Sequence, residues 1–298
     1  MAVVPSRPVH PPLPPFELPP ARTVAVPGRG EFFVRDSALA HPNADPGPAV
    51  LLLHGWMVTA DLNWGAAYEP LAQAGYRVLA LDHRGHGRGI RPMVPFRLAD
   101  CAADAAAVLR ALDAAPAIVV GYSMGGTIAQ LIARDHREVA GGLVLSGTCQ
   151  HFQDAETRRV WKLMGLMGFL LGLAPRRVYR AGFRRSGFAP GAQTAWILSE
   201  LMRHQSRDVA EAGRELGRFD SRPWLASMAR LPAAMVLTAR DTAVSPAKQR
   251  ELAEAIGAEV FQAEIDHLDL IERAEEYNPQ LLRAVQYVRD RAKAPAAA

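Results

Sequence analysis

Short, continuous apolar runs recur along the chain, and turn-forming or charged residues separate them. The runs are AVLLLHG at 49–55, RVLALD at 77–82, AIVVGY at 117–122, GGLVLSGT at 141–148, AAMVLTARD at 233–241 and AEVFQAE at 258–264. Such runs, without polar alternation, are typical of strands buried on both faces of a sheet. Helical periodicity fills the intervals, most clearly at 97–115 and 127–140. The alternation predicts an α/β fold with a mostly parallel central sheet and helices on both faces.

Three regions depart from this alternation. Residues 1–21 are proline-rich, which predicts an extended or disordered arm and fits neither a signal peptide nor a membrane span. RTVAVPGRGEFFVRDS, directly after the arm, has two β-rich runs around PGRG and predicts a hairpin. Residues 150–223 show no strand pattern and are far too long for a connection. We therefore predict a helical cap, or lid, at 150–223, inserted into a core formed by 22–149 and 224–298.

Composition narrows the classes of partner. The formal net charge is +4 and the sequence pI is about 9.3, but the only lysines are Lys162, Lys248 and Lys293. No nucleic-acid module and no basic run interleaved with aromatics is present, so we expect no nucleic-acid binding. Cys101 and Cys149 lack metal-ligand spacing, and their low number favours a reducing compartment. We expect a cytoplasmic protein without a metal site.

The stretch VVGYSMGGTIAQ carries the first candidate for chemistry. Gly121, Ser123 and Gly125 form a G-x-S-x-G motif directly after a predicted buried strand and before a predicted helix. This context is that of a nucleophile elbow, in which a strained turn exposes a reactive serine and small neighbours permit close approach. The alternative is a turn serine that caps the next helix.

A nucleophilic serine needs a base that takes its proton. His267, in EIDHLDLIE, follows the last predicted strand and precedes the C-terminal helix, which favours it as that base. His151, early in the predicted cap, is the rival. The alternative for His267 is a helix-capping role.

The base in turn needs an acid that orients its ring. Asp241 ends a predicted strand, as the elbow does, and gives the chain order Ser, Asp, His. Asp154 is the second choice. Asp266 and Asp269 flank His267 too closely in the chain to grip its ring from the far side.

Two backbone N–H groups are needed to stabilise an oxyanion. Met124 follows the elbow serine and supplies the first. His54, Gly55 and Trp56 lie in LLLHGWM at the end of an earlier strand, where Gly55 permits a sharp bend and Trp56 supplies the second N–H. The alternative for this loop is a simple turn at the end of a strand.

These residues resemble the α/β-hydrolase fold superfamily, in its group of lipases, esterases and cofactor-free haloperoxidase-like enzymes. The matching motifs are HGW at 54–56, LDHRGHG at 81–87, GYSMGG at 121–126, RDTAVSP at 240–246 and DHLDLIE at 266–272. The resemblance implies that Asp82, Arg84 and His86 hold a loop beside the site. One departure is Asp266, because a glycine often precedes the catalytic histidine in this family; its carboxylate would raise the basicity of His267 or compete for it.

The resemblance also bears on the reaction. Epoxide hydrolases and haloalkane dehalogenases of this fold have aspartate at the elbow, where this chain has Ser123. Serine implies an acyl-enzyme and the hydrolysis of a carboxylic ester or thioester, with a small-molecule acyl substrate and no cofactor. The alternatives are a perhydrolase or carbon–carbon bond hydrolase with the same triad, and a non-enzymatic binding protein.

An apolar stretch in the predicted cap suggests a lipophilic substrate. WKLMGLMGFLLGLA, at 161–174, is flanked by Arg158, Arg159, Arg176 and Arg177. One interpretation is a buried cap helix that covers the pocket. The other is a helix that makes peripheral contact with anionic lipid. Either helix gives the pocket an apolar roof.

Overall fold

A computed structural model describes residues 13–40, 47–185 and 189–293 of the chain. Its centre is one eight-stranded sheet with the order β1-β2-β4-β3-β5-β6-β7-β8. The strands are β1 (Ala21–Val26), β2 (Gly30–Asp36), β3 (Ala49–Leu53), β4 (Arg77–Leu81), β5 (Ala117–Tyr122), β6 (Ala140–Ser146), β7 (Ala233–Thr238) and β8 (Glu259–Ala263). All pairs from β4 to β8 are parallel, whereas β1 with β2 and β2 with β4 are antiparallel.

Ten α-helices lie among the described residues. They are α1 (Ala60–Gln73), α2 (Leu98–Ala111), α3 (Met124–Asp135), α4 (Ala155–Lys162), α5 (Met164–Leu173), α6 (Pro175–Arg185), α7 (Ala192–Leu201), α8 (Ser206–Arg218), α9 (Pro246–Ile256) and α10 (Ala274–Lys293). Helices α2, α3 and α9 share one buried apolar cluster with the sheet, and α1 and α10 share another on the opposite face. The predicted α/β fold, with helices on both sheet faces, is therefore confirmed.

The central strands are apolar because both of their faces are covered. Every residue of β5 and β7 is buried, as the continuous runs predicted. The prediction was wrong for β8, which is an edge strand: Glu259 and Gln262 are exposed, and so is Val260. The predicted hairpin at the other edge is confirmed by the antiparallel pairing of β1 with β2.

Helices α4 to α8 lie between β6 and β7, and residues 155–218 are called the helical segment below. Among the described residues of this segment the structure shows no strand, in line with their sequence pattern. The segment has an apolar cluster of its own, in which Trp196, Leu201 and Val209 are buried together with Leu62 of α1. Helix α8 also contributes Leu216 to the core beneath it. The segment thus rests on the core through α1 and α8.

The proline-rich arm is described only from residue 13, and residues 1–12 lie outside the described part of the chain. Within 13–20, Phe16 is half-buried and its ring packs edge-on against Trp196 of α7, with the ring centroids 5.3 Å apart. Arg35 donates a hydrogen bond of 3.0 Å to the carbonyl of Pro19. This part of the arm therefore lies against both the core and the helical segment.

Candidate active site

The G-x-S-x-G motif forms a sharp turn between β5 and α3. Ser123 has φ 52° and ψ −116°, a left-handed conformation that a residue with a side chain rarely adopts. A Cβ at Gly121 would collide with the backbone of Gly125, and one at Gly125 with the carbonyl of Leu53. The glycines therefore let β5, α3 and β3 approach closely enough to hold the serine in this conformation.

The structure brings Ser123, His267 and Asp241 into one hydrogen-bonded line. Nε2 of His267 lies 3.0 Å from Oγ of Ser123, and Nδ1 lies 2.7 Å from Oδ2 of Asp241. An ionised carboxylate only accepts hydrogen bonds, so Nδ1 carries the proton and donates it to Asp241. Nε2 is then free to accept the hydroxyl proton of Ser123. This is the tautomer that a general base requires.

The acid is held more tightly than the other two groups. Asp241 is buried, and its Oδ1 accepts hydrogen bonds from the N–H groups of Ala243, at 2.9 Å, and Val244, at 2.6 Å. Its Oδ2 also accepts from the Thr238 hydroxyl at 2.7 Å. Gln249 of α9 bonds to Thr238 and to the Val244 carbonyl. The orientation of the Asp241 carboxylate is therefore fixed by contacts other than its hydrogen bond to His267.

The loop that carries His267 has two anchors. The Tyr122 hydroxyl donates to the His267 carbonyl at 2.7 Å. Oδ1 of Asp266 accepts from the N–H of His267 at 2.7 Å and from the N–H of Thr242 at 2.8 Å. Asp266 therefore ties the His267 loop to the Asp241 loop, while the imidazole bonds to Asp241. Burial acts to raise the pKa of Asp266, but hydrogen bonds from Thr242 and His267 hold this pKa below its usual value.

The loop after β3 lies directly beside the elbow. A Cβ at Gly55 would be 3.4 Å from Cβ of Ser123, and the Gly55 N–H donates to Oδ1 of Asn63 at 2.8 Å. Trp56, the predicted second oxyanion donor, follows in this loop, and its indole Nε1–H donates to the Val209 carbonyl at 2.8 Å. Met124 begins α3, so its N–H is among the first helical N–H groups, which have no intrahelical acceptor.

His54 connects this loop to the loop after β4 through two hydrogen bonds. It is buried, and burial lowers the pKa of its imidazole to about 4. Nδ1 donates to the Gly55 carbonyl at 2.7 Å, and Nε2 accepts from the His83 N–H at 2.9 Å. A neutral ring with one donor and one acceptor satisfies both contacts.

A second histidine fixes the loop from the helical segment. Nε2 of His204 lies 3.1 Å from the Met57 carbonyl, and Nδ1 accepts from the Gly87 N–H at 3.0 Å. Burial lowers the pKa of His204 to about 3. Together with the bond from Trp56 to α8, this contact joins residues 54–57, called the β3 loop below, to the helical segment.

The rival candidates lie in other environments. His151 forms an isolated bridge with Asp220, and Asp154 pairs with Lys248. The loop LDHRGHG is buried and internally bonded: Asp82 accepts from the N–H of Ala60, and Arg84 pairs with Asp104 at 2.6 Å. These contacts agree with the interpretation that Asp82 and Arg84 hold the loop in place.

A cavity of about 780 Å³ opens above Ser123 and His267, between the core and the helical segment. Most of its lining side chains are apolar. They include Trp56, Leu62, Val160, Trp161, Val178, Ile197, Leu201, Leu216 and Ile271. Ser123 and His267 therefore face a mostly apolar space.

Several supporting residues were missed at the sequence level. Gln249 and Asn63 are buried polar groups on helices whose other buried positions are largely apolar, as with Leu252, Ala253 and Ile256 in α9. A polar residue on an apolar helix face was therefore the available signal. Among the described residues, no cluster of three or more potential metal ligands occurs.

Comparison with known proteins agrees with this architecture. The family model for the alpha/beta hydrolase fold matches residues 48–274. The chain is 40% identical over 87 residues to a non-heme chloroperoxidase of Burkholderia pyrrocinia, covering 29% of this chain and 31% of that protein. It is 36% identical over 105 residues to epoxide hydrolase B of Mycobacterium tuberculosis, covering 35% of this chain and 29% of that protein. These alignments thus span about a third of the length of each relative.

The fold extends the likeness over most of the chain. The crystal structure of an enol-lactonase from Burkholderia xenovorans superposes with a TM-score of 0.75 at 23% identity, covering 89% of this chain and all of that one. The fold and the family match together define an α/β-hydrolase. The chain belongs to the alpha/beta hydrolase fold family.

Proposed function

We propose that this protein hydrolyses carboxylic esters or thioesters of lipophilic acyl groups, and that Ser123 carries the acyl group. The observation that supports it best is the line Ser123–His267–Asp241 at the floor of an apolar cavity. The enol-lactonase is similar in fold alone, so the reaction rests on the side chains.

The reaction follows from the contacts. Oγ of Ser123 attacks the carbonyl carbon while Nε2 of His267 takes the hydroxyl proton. The N–H groups of Trp56 and Met124 are assigned to the resulting oxyanion. His267, now charged and held by Asp241, gives the proton to the leaving alcohol or thiol as the carbon–oxygen or carbon–sulfur bond breaks. Water, deprotonated by Nε2, then attacks the acyl-serine; the acid leaves and Oγ regains its proton.

The test is turnover of a p-nitrophenyl ester series with increasing acyl chain length. We expect the parent to turn over medium and long chains and Ser123→Ala to lose several orders of magnitude in kcat. A fluorophosphonate probe should label the parent at Ser123. Retained hydrolysis in Ser123→Ala would refute the assignment, and an unlabelled parent would favour a non-enzymatic binding protein.

A second candidate is perhydrolysis, favoured by the similarity to a non-heme chloroperoxidase. In that case hydrogen peroxide replaces water as the nucleophile on the acyl-serine, and the product is a peroxy acid. Peroxide-dependent halogenation in the presence of a carboxylic acid, absent in Ser123→Ala, would identify this output. A dienoate substrate screen would separate carbon–carbon bond hydrolysis.

A further inference from the structure

Helix α5 has an apolar face that no described part of the chain covers. Met164 and Leu171, seven residues apart, are the buried side chains of the helix: Met164 lies against Gly213 of α8, and Leu171 belongs to the apolar cluster that contains Val209 of α8. On the outside, Leu163, Leu166, Phe169, Leu170 and Leu173 are exposed, with Phe169 at 65% and Leu173 at 72%. Their spacing of three and four residues places them on one stripe. The interpretation of 161–174 as a buried helix was therefore wrong for its outer face.

Cationic residues surround this stripe. Residues 158–185 contain eight arginines and lysines and no aspartate or glutamate. All eight are exposed: Arg158, Arg159, Lys162, Arg176, Arg177, Arg180, Arg184 and Arg185. In the described part of the chain, none of them forms a salt bridge with a carboxylate. The outer stripe of α5 and these eight cations are called the basic apolar face below.

Helices α4 and α6, which carry cations of the basic apolar face, also line the active-site cavity. Val160 of α4 lines the cavity and is 47% exposed. Leu268, next to His267, lines it as well and is 74% exposed. The cavity is therefore lined by exposed apolar side chains on the same helix as Arg158 and Arg159 and beside His267.

We propose that the basic apolar face docks on a membrane leaflet that contains anionic phospholipid. The side chains of α5 enter the acyl boundary, and the arginines and lysines lie at the headgroup phosphates. Neither contribution suffices alone, because stable attachment to a bilayer needs two signals, and this face combines an apolar stripe with a polybasic border. No described helix is long and apolar enough to cross a membrane, so this contact is peripheral.

The charge of the face decides between lipid and a second copy of the chain. A symmetric dimer through this face would bring two sets of eight cations together without a carboxylate between them. An anionic lipid surface supplies the missing negative charge. Charge complementarity therefore assigns the face to lipid.

Vesicle flotation of the full-length protein tests the proposal, without substrate and independently of hydrolysis. We expect binding to phosphatidylcholine vesicles that contain phosphatidylglycerol, and little binding to phosphatidylcholine alone. Salt should weaken the binding because it screens the phosphates. Ser123→Ala should bind like the parent, so failure of the ester hydrolysis proposal leaves this result unaffected.

Matched variants locate the contact. Arg176→Glu with Arg177→Glu should weaken partitioning about 30-fold or more, given the contribution of each basic residue near a charged surface. Arg230→Glu with Arg291→Glu makes the same charge change at exposed positions outside the helical segment and should have a much smaller effect. Phe169→Asp with Leu173→Asp should also weaken partitioning, and circular dichroism should show an unchanged fold because both side chains are exposed.

Three results would overturn the proposal. One is the absence of parent binding to anionic vesicles. Another is equal loss in the Arg176/Arg177 and Arg230/Arg291 double variants, which would indicate an effect of net charge alone. The third is a dimer of the parent in light scattering that Phe169→Asp with Leu173→Asp converts to a monomer, which would assign the face to self-association.

Discussion

The carboxyl edge of the sheet and the helical segment above it are built in opposite ways. At the sheet edge, Asp241 has hydrogen bonds to both carboxylate oxygens, and the bonds of His267 fix its tautomer. In the helical segment, α5 presents leucines and a phenylalanine to the outside, and α6 carries arginines that form no salt bridge with any described carboxylate. The difference teaches that the candidate reacting groups are oriented by buried polar contacts, whereas we propose that the helical segment selects the molecules that reach them.

The largest expected effect comes from Asp241→Asn. Oδ1 accepts from two backbone N–H groups, so the asparagine amide would turn its NH₂ toward Nδ1 of His267. Nδ1 would then have to accept, and the ring proton would move to Nε2, where it blocks the base. We expect kcat on a soluble p-nitrophenyl ester to fall by about four orders of magnitude.

Asp266→Asn is the matched control for that variant. Its Oδ1 would still accept from the N–H groups of Thr242 and His267, so we expect a loss of kcat of less than about ten-fold. Equal losses in Asp241→Asn and Asp266→Asn would show that the imidazole does not depend on Asp241 specifically.

The next effect concerns the support of the acid. Gln249→Ala would leave the buried Thr238 N–H and Val244 carbonyl without their partner, since Gln249 bonds to both. We expect the free energy of unfolding to fall by about 2 to 3 kcal/mol in urea denaturation. Glu254→Ala, at an exposed position of the same helix, should change it by less than about 0.5 kcal/mol. A stability loss of that small size in Gln249→Ala would contradict the described network.

Ile197→Phe tests whether the helical segment sets substrate length. Ile197 of α7 lines the cavity, so a larger side chain should lower kcat/KM for long acyl chains about ten-fold while short chains are spared. Leu198, the next residue, is partly buried in the segment cluster, outside the cavity lining. Leu198→Phe should leave the chain-length profile unchanged. Identical profiles for Ile197→Phe and the parent would place the acyl chain elsewhere.

A further effect is a pH dependence of the stability, which arises from His204 of the helical segment. Because His204 has a pKa of about 3 in the folded chain, below that of a free histidine, the unfolded chain binds more protons in mild acid. Its contribution to stability is therefore lost as pH falls below about 6.5. His204→Gln keeps a donor and an acceptor but does not titrate.

Urea denaturation across this range gives the measurement. The stability difference between the parent and His204→Gln should change by about 1.4 kcal/mol per pH unit between about pH 6 and pH 4. Parallel stability curves would show that the folded chain does not hold the His204 ring neutral in this pH range.

Most of the sheet could be predicted because strands covered on both faces need continuous apolar sequence. β8 was misinterpreted because apolar residues lie in the middle of AEVFQAE, which resembles a buried strand. Whether a strand lies at the edge of the sheet depends on which strands pair with it, and the sequence of the strand does not show this. The sequence left two interpretations open for 161–174 because α5 is apolar all round, so its periodicity does not distinguish the face against α8 from the outer face.

The candidate site shows the same limit. The positions of Ser123, Asp241 and His267 could be predicted because each follows a strand at one edge of the sheet, although their catalytic roles remain proposals. The tie from Asp266 to Thr242 depends on how two loops meet. Sequence spacing does not predict the contact between Thr242 and Asp266, because α9 and β8 separate the two residues in the chain.

The two hydrogen bonds between the β3 loop and the helical segment have a consequence for protein engineering. The Val209 carbonyl accepts a hydrogen bond from the Trp56 indole, and Nε2 of His204 bonds to the Met57 carbonyl. The helical segment and the loop below the cavity are therefore linked at two places. If the helical segment were replaced by that of another family member, the substrate preference would therefore be transferred only if the new segment also placed a carbonyl and an imidazole at those two positions.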